Sequence, residues 1–209
     1  MRTSLRWLSG LIVLFFTGPH ALTVAQYVPG VSNNITLRSH VHQYSRYSNI
    51  WGYTDSQGRE YALLGTNTGL SIVNITNPIM PVEVDFIPGP VAPGTVWREI
   101  KTYSHYAYVV TEQTASSGGL QIIDLAPLPD SAVLVNTYLW PGVTAANARA
   151  HTVTGDDQGY LYIQGGTATL GGGTNQGGIR ILSLADPVNP LPVSVFAPRY
   201  VHDSWVRNN

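Results

Sequence analysis

Short apolar runs separated by turn residues recur along the chain, and one of them returns three times: GLSIVNITNP at 69–78, GLQIIDLAP at 119–127 and GIRILSLADP at 178–187. Each copy opens on Gly, carries polar residues at the second and fifth places after it, and closes on Pro78, Pro127 or Pro187. Apolar residues at both odd and even places predict a strand covered on both faces. The fifth-place residues Asn74, Asp124 and Ser183 are short polar side chains next to a turn. They are expected to bond backbone groups entering that turn rather than to do chemistry. Proline closes each copy because it fixes φ and cannot continue a ladder.

The runs around this motif keep a constant order. A first strand begins near SNIWGY (48–53), REIKTY (98–103) and HTVTGD (151–156), and the same opening returns at HDSWV (202–206). Aligned on Ile50, Ile100, Val153 and Ser204, the units are spaced by 50, 53 and 51 residues. A turn follows, DSQG in the first unit and DDQG in the third, and then YALLG (61–65), YAYVV (106–110) or YLYIQ (160–164). The motif is the third strand, and VEVDFI (82–87), AVLVNTY (132–138) or PVSVFA (192–197) is the fourth. Four short strands per unit of roughly 50 residues predict an all-β fold, a β-propeller of four-stranded antiparallel blades. The blades are expected at 48–97, 98–150 and 151–201, with the first strand of a fourth at 202–209 and a closing strand at 34–40. Propellers close with about four to eight blades, so three units and a fragment read as a truncated propeller.

Composition narrows the function. Charged residues make up 11% of the 209, formal net charge is −1, and Lys101 is the one lysine, so no basic field exists to attract nucleic acid. Cysteine is absent, which excludes thiol catalysis and disulfide staples. Residues 1–25 read as a secretory signal peptide: Arg2 and Arg6 precede the apolar LSGLIVLFF, and Thr23 and Ala25 offer small residues before a cut ahead of Gln26. The propeller domain is then 26–209, with no later apolar run long enough to span a bilayer.

Three stretches carry a family resemblance: YSRYSNIWGYTDSQGREYALLGTNTGLSIVNITNP, VWREIKTYSHYAYVVTEQTASSGGLQIIDL and FAPRYVHDSWVRN. They resemble the LVIVD-repeat proteins, specifically the choice-of-anchor B group, over residues 40–206. The resemblance implies a secreted bacterial β-propeller displayed at the cell surface. It implies no particular reaction.

The candidate chemistry lies at the pairs preceding each first strand: Ser48–Asn49, Arg98–Glu99, His151–Thr152 and His202–Asp203. First strands line the channel of a propeller, so these pairs are expected near one of its mouths. Glu99, His151, His202 and Asp203 are of the residue types that hold a divalent cation, imidazole suiting Zn²⁺-like ions and carboxylate suiting Ca²⁺ or Mg²⁺. A metal there would activate water. A polar, hydrated channel of ion pairs and hydrogen bonds is the plainer expectation. The glycine-rich stretch 165–178 has no lysine of the kind a phosphate loop needs and reads as a hairpin insertion. Trp51, Trp97, Trp140 and Trp205 recur near blade starts or ends, where large aromatics pack between blades, with a sugar-stacking platform as the secondary reading. Two functions follow. One is a non-enzymatic binding module for a protein or glycan ligand, and the other is a metal-assisted hydrolase at the channel mouth.

Overall fold

The computed structural model describes residues 34–94, 96–112, 118–166 and 177–207. The signal peptide expected at 1–25 and most of the glycine-rich stretch lie outside them. The chain divides into two units, Met1–His40 and Val41–Asn209. In the first, residues 34–40 have no strand structure, although Ile35 and Leu37 alternate. Alternation marks a shared face but does not supply a ladder partner. Among the described residues no helix is long and apolar enough to cross a membrane.

The second unit holds three four-stranded antiparallel sheets. Blade 1 contains β1 (Tyr47–Thr54), β2 (Glu60–Thr66), β3 (Gly69–Asn74) and β4 (Val82–Pro88). Blade 2 contains β5 (Arg98–Tyr103), β6 (Tyr106–Thr111), β7 (Leu120–Asp124) and β8 (Val133–Tyr138). Blade 3 contains β9 (Thr152–Gly155), β10 (Tyr160–Gln164), β11 (Ile179–Ser183) and β12 (Leu191–Phe196). Strand order within each blade is sequential, so every connection is a hairpin. The molecule is an all-β propeller, as the repeat predicts.

Two apolar layers hold the blades together. The first joins Tyr61, Leu63, Leu70 and Ile72 of blade 1 to Ile100, Ala107, Val109 and Ile123 of blade 2. The second joins Tyr108, Val110, Leu120 and Ile122 of blade 2 to Val153, Leu161, Ile163 and Leu182 of blade 3. Strand alternation explains the division. In β7, Leu120 and Ile122 face blade 3 while Ile123 faces blade 1, so this strand is buried on both sides. Position within the repeat therefore does not by itself set exposure. Ile100 and Val153 are buried, but Ile50, at the same repeat position, is 61% exposed because no described strand packs on that side of blade 1.

The Gly that opens the motif is required by backbone approach. A Cβ at Gly69 would run into the Ile87 carbonyl oxygen, and one at Gly178 into that of Phe196. Both oxygens belong to the paired fourth strand, so no larger residue fits. The same pair of strands carries a register irregularity in all three blades, at Ile72/Val73, Ile122/Ile123 and Ile181/Leu182. An irregularity of this kind increases local twist. Asn74, Asp124 and Ser183 finish their strands as expected. Their side-chain oxygens accept from the backbone N–H groups of Thr76 at 3.0 Å, Ala126 at 2.8 Å and Ala185 at 3.2 Å.

The DSQG and DDQG turns are built alike. Asp55 Oδ1 accepts from the N–H groups of Gln57 and Arg59, and Tyr61 donates its hydroxyl to Oδ2. Asp156 Oδ1 accepts from Gln158 and Tyr160, and Tyr162 donates to Oδ2. At Asp55, burial works to raise the carboxyl pKa. Hydrogen bonds from the Arg59 side chain and backbone, the Gln57 backbone and Tyr61 outweigh it and hold the pKa at about 2. A depressed folded-state value means the contribution is present above the unfolded pKa of about 4 and is lost as pH falls towards 2. The urea midpoint is accordingly expected to fall less steeply over that window in Asp55→Asn than in the native chain. Equal slopes would show that the turn carboxylate contributes nothing.

Candidate functional site

The inner strands β1, β5 and β9 lie side by side without a ladder between them, and hydroxyl groups bridge β1 to β5 instead. Ser48 Oγ donates to the Arg98 carbonyl at 3.1 Å and accepts from the Arg98 N–H at 3.0 Å. Trp51 Nε1 donates to Thr102 Oγ1 at 3.0 Å. The same device holds the C-terminal segment: Thr152 Oγ1 donates to the His202 carbonyl at 2.6 Å and Thr154 Oγ1 to that of Ser204 at 3.2 Å. Residues 202–206 thus occupy the place of a fourth inner strand. They carry no strand assignment because no described ladder partner lies beside them.

The paired residues ahead of the inner strands have separate roles. Arg98 is buried and makes no ion pair with Glu99. Its Nε donates to the Thr66 carbonyl at 2.7 Å and its Nη2 to that of Pro90, fastening the loop after β4 over the seam of blades 1 and 2. Burial lowers its pKa to about 10. Glu99 pairs instead with Lys101, Oε1 to Nζ at 2.8 Å, with both side chains largely covered.

His151 and His202 do come together, their ring centroids 3.9 Å apart. His151 Nδ1 lies 2.5 Å from Glu112 Oε1. A carboxylate only accepts, so Nδ1 is the donor. Nothing in the sequence singles out Glu112. It follows β6 directly, and only the register of that strand brings it under His151. Asp203 is exposed, and its Oδ1 accepts from the adjacent Ser204 N–H at 2.7 Å.

Glu99, His151, His202 and Asp203 therefore do not come together as a ligand set. Among the described residues no three His, Asp or Glu side chains are grouped to hold a metal ion. Glu99 and His151 already have partners of their own, Lys101 and Glu112.

Among the described residues, Glu99 stands in the wall of two clefts beside the inner strands. The smaller, of about 360 Å³, lies by Ser48, Asn49, Trp97, Arg98 and His151. The larger, of about 700 Å³, is walled by Trp51, Lys101, Tyr103, Asp157, Asp203 and Trp205. It also takes in Glu99 and Asp156, so its lining carries four acidic residues and one lysine.

The aromatic residues depart from the packing expected of them. Trp140 is buried between blades at 1% exposure, but Trp51, Trp97 and Trp205 are 37%, 48% and 90% exposed. The reason is local. Trp51 lies on the inner strand of blade 1 and Trp205 in the segment beside blade 3, and both stand in the wall of the larger cleft rather than between two sheets. Trp51 is nonetheless held in place, its N–H bonded to Thr102 and Lys101 Nζ 4.0 Å from its ring centroid.

No protein-family model matches the sequence, and no curated protein sequence matches it. Among solved structures, an exo-1,5-α-L-arabinanase from a bovine ruminal metagenomic library is similar at 11% sequence identity and a TM-score of 0.35, over 76% of this chain and 61% of that one.

Proposed function

We propose that the chain is an extracytoplasmic, cell-surface binding module of the choice-of-anchor B type, and that its larger axial cleft takes a neutral glycan. The observation that supports this reading is the combination inside one cleft of an anchored Trp51 and an exposed Trp205 with a carboxylate-rich wall. Indole faces stack on the C–H faces of sugar rings, and carboxylates accept hydrogen bonds from their hydroxyl groups. The volume of the cleft falls in the range of small-molecule sites, which is about 300–1,000 Å³.

A bound saccharide needs no metal and no nucleophile from the protein. The experiment is a glycan array probed with the full chain, followed by calorimetric titration of the strongest neutral oligosaccharide. Binding that disappears in Trp205→Ala is the expected result. Silence across the array, or binding indifferent to both Trp51→Ala and Trp205→Ala, would overturn the reading. Hydrolysis products appearing only when Zn²⁺ or Ca²⁺ is added would instead favour a metal-assisted hydrolase.

A further inference from the structure

The repeat place two residues after the motif Gly is filled by Ser71, Gln121 and Arg180, each of them buried. Ser71 bonds Glu83 at 2.5 Å, and Gln121 Nε2 donates to the Pro88 carbonyl of blade 1 at 3.0 Å. Arg180, 6% exposed, lies against Trp140 at the end of blade 2, with its guanidinium carbon 5.3 Å from the ring centroid. Its Nη2 is buried without a hydrogen-bond partner, and so is Trp140 Nε1. Among the described residues no carboxylate forms an ion pair with Arg180. All twelve Asp and Glu residues of the chain fall within the described residues.

Arg180 and Trp140 both line a cavity of about 130 Å³ at the seam of blades 2 and 3, whose remaining wall is Pro141, Ile181, Leu182, Pro192 and Val195 with Ser194. A buried guanidinium without a counter-charge is costly, and a neighbouring indole can only donate. Two donors without partners, on residues that wall an otherwise apolar chamber, select an acceptor that is negative at one end and hydrocarbon at the other. We propose that this cavity is a binding site for a short-chain monocarboxylate, with the carboxylate on Arg180 Nη2 and Trp140 Nε1 and the alkyl end against Leu182, Pro192 and Val195. A planar fork matches a carboxylate better than a spherical ion. With a water's share of liquid volume at about 30 Å³, the chamber has room for a ligand of about five heavy atoms such as propionate.

The test is the thermal midpoint of the full chain at pH 7 in sodium propionate, compared at matched ionic strength with sodium chloride and with neutral propionamide. A ligand that binds only the folded state raises the midpoint by mass action, by a few degrees near saturation for a chain of this length. Propionate alone is expected to do so. The rise should vanish in Arg180→Gln, which installs the blade 2 residue, and should shrink in Trp140→Phe, which keeps the ring and removes the donor. An equal rise with chloride or propionamide, or an undiminished rise in Arg180→Gln, would overturn the proposal. Should Arg180→Gln fail to fold, the decision falls to Trp140→Phe and to ¹⁹F resonances of trifluoroacetate with the native chain. Broadening reversed by propionate supports the site, and an unbroadened line refutes it.

Discussion

Ile122→Ala is expected to destabilise the fold by about 3–4 kcal/mol, close to the upper range for truncating a fully buried aliphatic side chain. Ile122 is at 0% exposure in β7, facing the layer shared with blade 3 among Tyr108, Val110, Leu161 and Leu182. Its surroundings are side chains of two sheets already committed to their ladders, so the space left by the lost carbons cannot close by local movement. Ile181 holds the same place in the repeat of blade 3 but is only half-buried. Its truncation is expected to cost roughly 1–2 kcal/mol, since less apolar surface leaves contact. Urea denaturation of the two variants beside the native chain measures the difference. Equal costs would mean that coverage by the neighbouring blade does not decide the worth of this position.

The second large effect concerns binding. Trp205→Ala is expected to weaken glycan affinity by roughly 10- to 100-fold, each tenfold step being about 1.4 kcal/mol, because exposed aromatic anchors carry a disproportionate share of binding energy. At 90% exposure Trp205 contributes little to the fold, so the thermal midpoint of this variant should stay unchanged. Trp51→Ala should weaken binding to a similar degree but also lower stability slightly. It removes the bond to Thr102 and the ring beneath Lys101. Calorimetric titration and thermal melts on both variants separate the two contributions. Loss of affinity matched by loss of stability in Trp205→Ala would make that residue a structural one.

Much of the scaffold was legible in the order of residues because strands and turns are local. The register pairs Ile50 with Leu64, Ile100 with Val109 and Val153 with Ile163, the same place in each unit, as the spacing of the repeats required. The strand-ending role of Asn74, Asp124 and Ser183 was equally legible, since the bond spans two residues. The site was less so. Arg98 and Glu99 are neighbours in sequence, yet alternation sends one into the seam between blades and the other to Lys101. Glu112 reaches His151 across 39 residues, and Trp51 reaches Thr102 across 51. Such contacts depend on how blades lean on one another, which no run of a few residues encodes.

From the order of residues alone it follows that this protein is a series of four-stranded β units, with its turns at the Gly, Asp and Pro clusters, and that GLSIVNITNP is a buried third strand. The packing of the blades settled the rest: which faces of those strands are covered, and why Gly69 and Gly178 must be glycine. It also left Trp51 and Trp205 open in the axial cleft while sealing Trp140 beside Arg180. Hydrogen-bond ladders and turns follow from neighbours along the chain. Burial follows from whichever blade arrives from about 50 residues away, and so it differs among positions that the repeat makes alike.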